Sequence, residues 1–498
     1  MKINLDEARA KVETECAIAV EIAERGGRLG EVECQIWSQL LALGRAVIAL
    51  YFAHSVCRPH AATYEHAGCT YEVCGTATSN VGTRFGKVAF ERPVGRPIEN
   101  HRGSRDFFID RELAIHSSFT LPTALTLMRL AAQMAFANAQ ATFRNIFEWA
   151  PCSRTVLRMV DRIGTHAAAF LAQAPAPEGD GEVLVIQPDA KGIPMISTAE
   201  VRRRRERRRA PGHATRRRAR RLRRRDIPKK KRRRVGDKSK NAKMAVVGVI
   251  YTLRRMPDGT MEGPINKRVI ATLSGHNALF ALLRKEADKR GYGTKECLFL
   301  SDGAKVLWRL KETYFPAAEG CIDWFHIVEK LWACGEAIYP HDRDAVARWY
   351  AAQTKVLRRH GAGQVISSLQ TAISAIARTG PGTKRRRELL SKTRLHFLRH
   401  MSHMHYASLR SRDLDIATGS VEGAVRNVVG MRLDGPGMRW SPQRAERVLH
   451  LRCILVNGQW GAFEHYVSQH EGGTLKLPSR PAPTIPHDAA PKKLKKAA

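Results

Sequence analysis

The sequence predicts a multi-domain chain. A helical N-terminal region with a hairpin and a helix-turn-helix comes first, and an α/β domain carrying an all-helical insertion follows. Three observations predict it. Apolar residues recur at three- and four-residue steps over 5–26, 32–55 and 121–165, which marks helices. After the linker "APAPEGDGE" at 174–182 the pattern changes to short β-branched runs, which mark strands. From 323 to 411 it is helical throughout.

Taken in order, residues 1–56 form N-terminal helices, with Leu40, Leu43, Val47, Leu50 and Tyr51 on one apolar face. Residues 57–120 form a small β-rich element, because "GTRFGKVAFERPVGRP" alternates as a hairpin does. Residues 121–173 form the helix-turn-helix: two helical patterns split by "APCS", with Ser153 as N-cap of the second and Gly164 as its stop. Residues 181–322 are the first part of the α/β domain, since strands, a helix over "NALFALLRKEADKRGYG" and a further strand alternate. Within it "VLVIQPDAKGIPM" reads as a strand ended by Asp189, with Gly192 and Pro194 turning the chain. Residues 202–240 are a basic loop insertion. Residues 323–411 are the helical insertion, 412–472 the second part of the α/β domain, and 473–498 a disordered tail rich in Pro, Ala and Lys.

The 498 residues carry 84 Lys and Arg against 47 Asp and Glu, a net charge of +37. Such a field attracts polyanions, nucleic acid foremost and an anionic membrane surface second. The apolar run "AVIALYFA" is far shorter than the roughly 20 residues of a membrane span. The start "MKINLDEARAKVETE" is acidic and polar, unlike a signal peptide. About half of the charge lies in 202–234, where 18 Arg and 3 Lys face Glu206 and Asp226 for a net +19. That run, including Arg216, Arg217, Lys229 and Lys230, is expected to bind phosphates, although "PKKKRRRV" also resembles a nuclear-import signal. Arg154, Arg158 and Arg162 share one helix face. That face either meets DNA or is a solvated arginine surface. The ten scattered cysteines read as reduced thiols of a cytosolic protein. Cys57, His60, Cys69 and Cys74 are weak zinc candidates, because their spacing is loose for a zinc module.

Three acids stand at telling places. Asp189 ends the first strand, Asp302 ends "CLFLSDG", and Glu422 follows the helix start Gly419-Ser420. Singly, each reads as turn chemistry or as a surface pair such as Glu422 with Arg426. Together, at one edge of an α/β sheet, they form a site. Carboxylates about 4 Å apart repel by on the order of 4 kcal/mol per pair at an effective dielectric near 20, so they persist only with protons or cations. All-oxygen ligands favour Mg²⁺ or Mn²⁺. Two such ions about 3.5–4 Å apart suit phosphodiester displacement.

"SDGAKVLW", "GCIDWFH", "GSVEGAVRNVVGMRLDGPGMRW" and "AKMAVVGVIYTL" resemble ISKra-type insertion-sequence transposases, a bacterial DDE group related to the Mutator-like enzymes. The resemblance covers roughly 75–460. It implies a ribonuclease-H-like catalytic domain. It also implies a DNA transposase that cleaves strands at its element's ends with Mg²⁺ and transfers the freed 3′-hydroxyl into target DNA. Asp189, Asp302 and Glu422 match its three acids, Asp323-x-x-His326 its auxiliary signature, and Gly437 to Trp440 the motif after the third acid. Arg439 is then expected to contact phosphate. Trp440 is either stacked on a base or part of the core. His326 either contacts the scissile phosphate or supports the metal edge. Relatives often carry a cysteine pair just beyond the hairpin, but here the next cysteine is Cys152. The partners implied are DNA and a second copy of the chain, in the bacterial cytoplasm on the nucleoid. Two other readings remain: a non-catalytic DNA-binding descendant, and a structure-selective nuclease on a similar fold.

Overall fold

The computed structural model describes residues 5–100, 103–209 and 242–477. The chain divides into two compact units, Met1–His166 with Glu464–Ala498, and Ala167–Phe463. It is a mixed helix-and-sheet, multi-domain architecture.

The first unit opens with helices α1 (Leu5–Glu24) and α2 (Leu29–Val56). Strands β1 (Thr63–His66), β2 (Cys69–Thr83) and β3 (Gly86–Pro97) follow as one antiparallel sheet. The hairpin expected at 82–97 is the tip of β2 and β3, where Thr83 pairs with Gly86 around Arg84 and Phe85. Phe52 of α2 stacks on Phe90 of β3 with centroids 4.1 Å apart, over a core that includes Val81 and Val88. By length and apolar composition α2 could span a bilayer. The sequence expectation of no such segment counted contiguous apolar residues, whereas this helix tolerates Glu31, Glu33 and Arg45 within its 28 residues.

Helix α3 (Phe108–Glu112) precedes α4 (Leu121–Gln133), α5 (Phe136–Phe147) and α6 (Ser153–Gln173). The expected two-helix motif is therefore three helices, because the chain turns extended at Met134. Ser153 does not cap α6. Its hydroxyl donates sideways to Gln140 at 2.6 Å, and the first-turn N–H groups reach the Cys152 carbonyl instead. Gly164 does not stop α6, which continues to Gln173 because Ile163 and Ala167 on either side are fully buried. Of the tail expected from 473, Thr474 bridges to Thr120 and Leu475 is fully buried, while 478–498 lie outside the described residues.

The second unit is built on a five-stranded sheet. Strand β4 (Val183–Pro194) leads into helix α7 (Thr198–Arg209), and β5 (Ala242–Arg255) and β6 (Met261–Thr272) follow. Helix α8 (His276–Lys289), β7 (Glu296–Ser301), α9 (Lys305–Tyr314) and β8 (Glu319–Ile322) complete it. The order is β6-β5-β4-β7-β8. β4, β5 and β6 run antiparallel, while β7 and β8 join parallel to β4. Leu184 and Ile186 of β4 and Cys297 and Phe299 of β7 pack with Leu279, Phe280 and Leu283 of α8 and Leu307 and Leu310 of α9. Side chains alternate along a strand, so the odd residues of β4 and the even ones of β7 face the other side.

One expectation is corrected here, and one strand is new. Strand β4 does not end at Asp189 but pairs with β5 out to Pro194 opposite Ala242, since a long partner overrides the turn chemistry of Gly192 and Pro194. Strand β8, only four residues long, carried no sequence signal.

The helical insertion comprises α10 (Trp324–Ile338), α11 (Arg343–His360), α12 (Ala362–Ala375), α13 (Thr383–His400) and α14 (Tyr406–Ser411). Helix α15 (Gly419–Val425) runs without a break into a π-helical stretch, Arg426–Gly430, and α16 (Met431–Leu433). Helices α17 (Pro442–Val456) and α18 (Trp460–His470) close the chain.

Candidate active site

Pairing between β4 and β7 runs from Val183 opposite Glu296 to Ile186 opposite Phe299. Asp189 and Asp302 each stand three residues beyond that last pair, so the two strands deliver their acids at one level. Pro188 has no N–H to extend the ladder there. Asp302 turns the chain out of β7: its Oδ1 accepts from the Ala304 N–H at 3.0 Å, and its carbonyl accepts from the Trp308 indole at 2.8 Å. Asp189 accepts from the Ala190 N–H at 2.6 Å.

Glu422 arrives on α15, and four side chains fix the segment leading into it. Buried Gln187, two residues before Asp189 on the same face, donates to the Ala417 carbonyl at 3.3 Å and accepts from the Val421 N–H at 3.1 Å. Tyr251 of β5 donates to Asp415 and lies close to Ser420. Asp323, which is fully buried, accepts from the Thr418 N–H at 2.7 Å. Thr418 in turn donates to Glu422 at 3.3 Å; among the described residues that hydroxyl, not Arg426, is the side-chain partner of Glu422.

Asp323 also caps α10. Its Oδ2 accepts from the backbone N–H of His326 at 2.8 Å and meets its Nδ1 at 2.6 Å. Burial opposes ionisation of Asp323, yet the hydrogen bonds from His326 and Thr418 outweigh it and hold the carboxyl below its usual range. The same bond raises His326 to about 9, against the effect of burial, with the charges of Asp323 and Asp302 adding to it. With Nδ1 turned to Asp323, Nε2 is the nitrogen left on the exposed side of the ring.

The acids sense one another. Burial raises Asp189 above the usual carboxylate range, and the nearby charges of Asp302 and Glu422 raise it further while His326 works against them. Asp323, His326 and Glu422 bring one ligand atom each within 4.8 Å of one another. Asp189 and Asp302 are not in that group; what links them to it is charge, since Asp302, His326 and Glu422 all act on Asp189. Both oxygens of Asp323 are also hydrogen-bonded within the fold.

The other predicted residues lie elsewhere. Trp440, expected at a DNA surface or in the core, is core. It is 4% exposed, its indole donates to the Leu433 carbonyl at 2.9 Å, and Arg432 lies 4.8 Å from its ring centre. Its backbone bridges to the end of β4 through Pro194 and Ile196, which explains the sequence signal of "GMRW" as a structural tie. Arg439 beside it is exposed. On α6, Arg154 is exposed, but Arg158 and Arg162 are half-buried, and Arg162 pairs with the buried carboxylate of Glu471 at 2.6 Å. Arg216, Arg217, Lys229 and Lys230 lie outside the described residues. Cys57, His60, Cys69 and Cys74 are not among the groups gathered for a metal. Cys69 and Cys74 are five residues apart on β2, about 15 Å along an extended strand.

Sequence reasoning missed Gln187, Tyr251 and Thr418. Only Gln187 gave a signal: a lone amide closing an apolar strand must find partners when buried.

No protein-family model and no curated protein matches the sequence. Among solved structures, the strand transfer complex of the Drosophila P element transposase is similar at a TM-score of 0.23 and 10% identity, over 72% of this chain and 84% of that one. A likeness of that size is too slight to assign a fold.

Proposed function

We propose that this chain is a DNA transposase of the DDE type, with a ribonuclease-H-like catalytic domain whose acids are Asp189, Asp302 and Glu422. The observation that carries the reading is the common level of Asp189 and Asp302 on adjacent parallel strands, with Glu422 in electrostatic reach of the first. The strand order and the antiparallel β4-β5-β6 meander support the fold expected from the resemblance.

A divalent cation fits this donor set. Asp189 is pushed toward protonation by burial and by two neighbouring carboxylates, and a bound cation would remove that strain. Asp189, Asp302 and Glu422 would hold Mg²⁺ ions, which when bound activate the attacking hydroxyl and stabilise the leaving oxygen. The protein's own residues do the rest. Gln187, Tyr251 and Asp323 keep Glu422 over the strand ends. His326, raised to about 9, carries a proton at neutral pH and presents Nε2–H to an incoming phosphate oxygen. The +37 net charge draws the polyanion in.

The test uses the full chain with DNA bearing the sequences that flank its reading frame. Strand cleavage and strand-transfer products are expected with Mg²⁺ and not with EDTA. Asp189→Asn, Asp302→Asn and Glu422→Gln are expected to abolish both while DNA binding survives. Near-normal cutting by any of the three removes it from the triad. Cutting without joining would make the protein a nuclease.

A further inference from the structure

Gly303 follows Asp302 and is enclosed from the helical insertion. A Cβ placed at Gly303 would lie 2.0 Å from Cε1 and 2.9 Å from Nε2 of His396, on α13. His400, one turn further along α13, lies against the Gly303 backbone, and the two imidazole rings stand 4.8 Å apart. His403 extends the group: it stacks on Trp308 at 4.1 Å and lies close to Gly320 on β8. Trp308 is the residue whose indole holds the Asp302 carbonyl at 2.8 Å. The Nε2 atoms of His396 and His400 are buried, with no hydrogen-bond partner among the described residues.

We propose that the insertion clamps the second acid: His396 and His400 close on Gly303, fix the backbone that carries Asp302, and so act as positioning residues of the site. The inference rests on the reading of Asp302 as a catalytic acid. A larger residue at 303 would push directly on the ring of His396, and the carboxylate of Asp302 would move with it. A displacement of about 1 Å costs on the order of 100-fold in rate.

The test joins a structural and a catalytic readout on the full chain. Hydrogen exchange is followed in the peptide spanning 299–307, where the Ala304 N–H is bonded to Asp302. The double variant His396→Ala/His400→Ala is expected to speed that exchange about tenfold. Gly303→Ala is expected to slow Mg²⁺-dependent cleavage about 100-fold with DNA affinity within about twofold, a loss in turnover and not in binding. Adding His396→Ala to Gly303→Ala relieves the clash and should recover part of the rate without reaching wild type, because the ring that positions Asp302 is gone; a general loss of folding would allow no recovery. Unchanged exchange in the histidine variant, or full cleavage by Gly303→Ala, overturns the clamp. A wild-type chain that neither cuts DNA nor binds Mn²⁺ removes the catalytic reading of Asp302, and the exchange result alone then decides whether the clamp exists.

Discussion

Neutralising Asp302 separates a metal-binding acid from a merely structural one. Asp302→Asn keeps an oxygen for the Ala304 N–H, so the turn out of β7 survives. What it removes is charge facing Asp189, whose carboxyl is raised first by burial and then by Asp302 and Glu422. Two unit charges at ordinary contact range, about 4–6 Å, at an effective dielectric near 20 repel by about 3 kcal/mol. Water reaches Asp302, which is only half-buried, so about 1–2 kcal/mol of that survives screening. At about 2–4 °C per kcal/mol for a unit of this size, the variant should melt about 2–8 °C above wild type in EDTA. Mg²⁺ should reverse the order. A ligand at 100 times its dissociation constant stabilises the wild type by about 2.7 kcal/mol, and the variant, short of one ligand, should gain far less. Scanning calorimetry at neutral pH with and without Mg²⁺ reads both. If Asp302→Asn melts below wild type in EDTA, or if Mg²⁺ raises both proteins equally, the acids do not form a cation site.

Three further outcomes follow. His326, at about 9 when folded against an ordinary 6.5, lends stability that is complete below pH 6.5 and is lost as pH rises through 9; Asp323, held low, lends stability lost only in acid. The melting gap between wild type and His326→Gln should therefore be widest near pH 6 and close above pH 9, and a gap flat with pH would refute the pairing. Trp440→Phe loses the bond to Leu433, which should cost about 1–3 kcal/mol in denaturant titration and leave the salt dependence of DNA binding unmoved. Deleting 202–225 should flatten the log–log dependence of DNA affinity on salt by about 0.9 for each phosphate no longer neutralised, while end preference persists; disappearance of end preference would put that run in specific recognition.

Asp189, Asp302 and Glu422, the acids of the proposed site, stand out in the sequence because each sits where local chemistry changes: an apolar run meets a carboxylate, or a glycine meets a helix start. The longer strands were legible from the same apolar runs. What the sequence hid was long-range. Gly192 and Pro194 are ordinary turn residues, and only the presence of β5 beside them keeps β4 extended to Pro194. Gly164 looks like a helix stop, yet packing of Ile163 and Ala167 carries α6 through it. Trp440 reads equally well as a stacking platform or as core, and burial alone separates the two. His396 and His400 carry no motif at all. Their contact with Gly303 spans more than ninety residues of chain and exists only through the packing of α13.

Asp323 shows how the proposed triad, so dispersed in sequence, would be held together. A fully buried carboxylate is costly unless its oxygens are matched, and here the backbone N–H of Thr418, that of His326 and the imidazole of His326 match them. One side chain thereby caps α10, orients His326 and anchors the segment that delivers Glu422. On the proposed reading a cation would meet Asp189, Asp302 and Glu422, and the segment that carries the last is held by Asp323. The auxiliary Asp-x-x-His pair is thus two roles in one helical turn: the aspartate sets geometry from inside, and the histidine offers charge outside. Removing the aspartate would loosen the third acid and the histidine together, whereas removing the histidine alone would leave Glu422 in place.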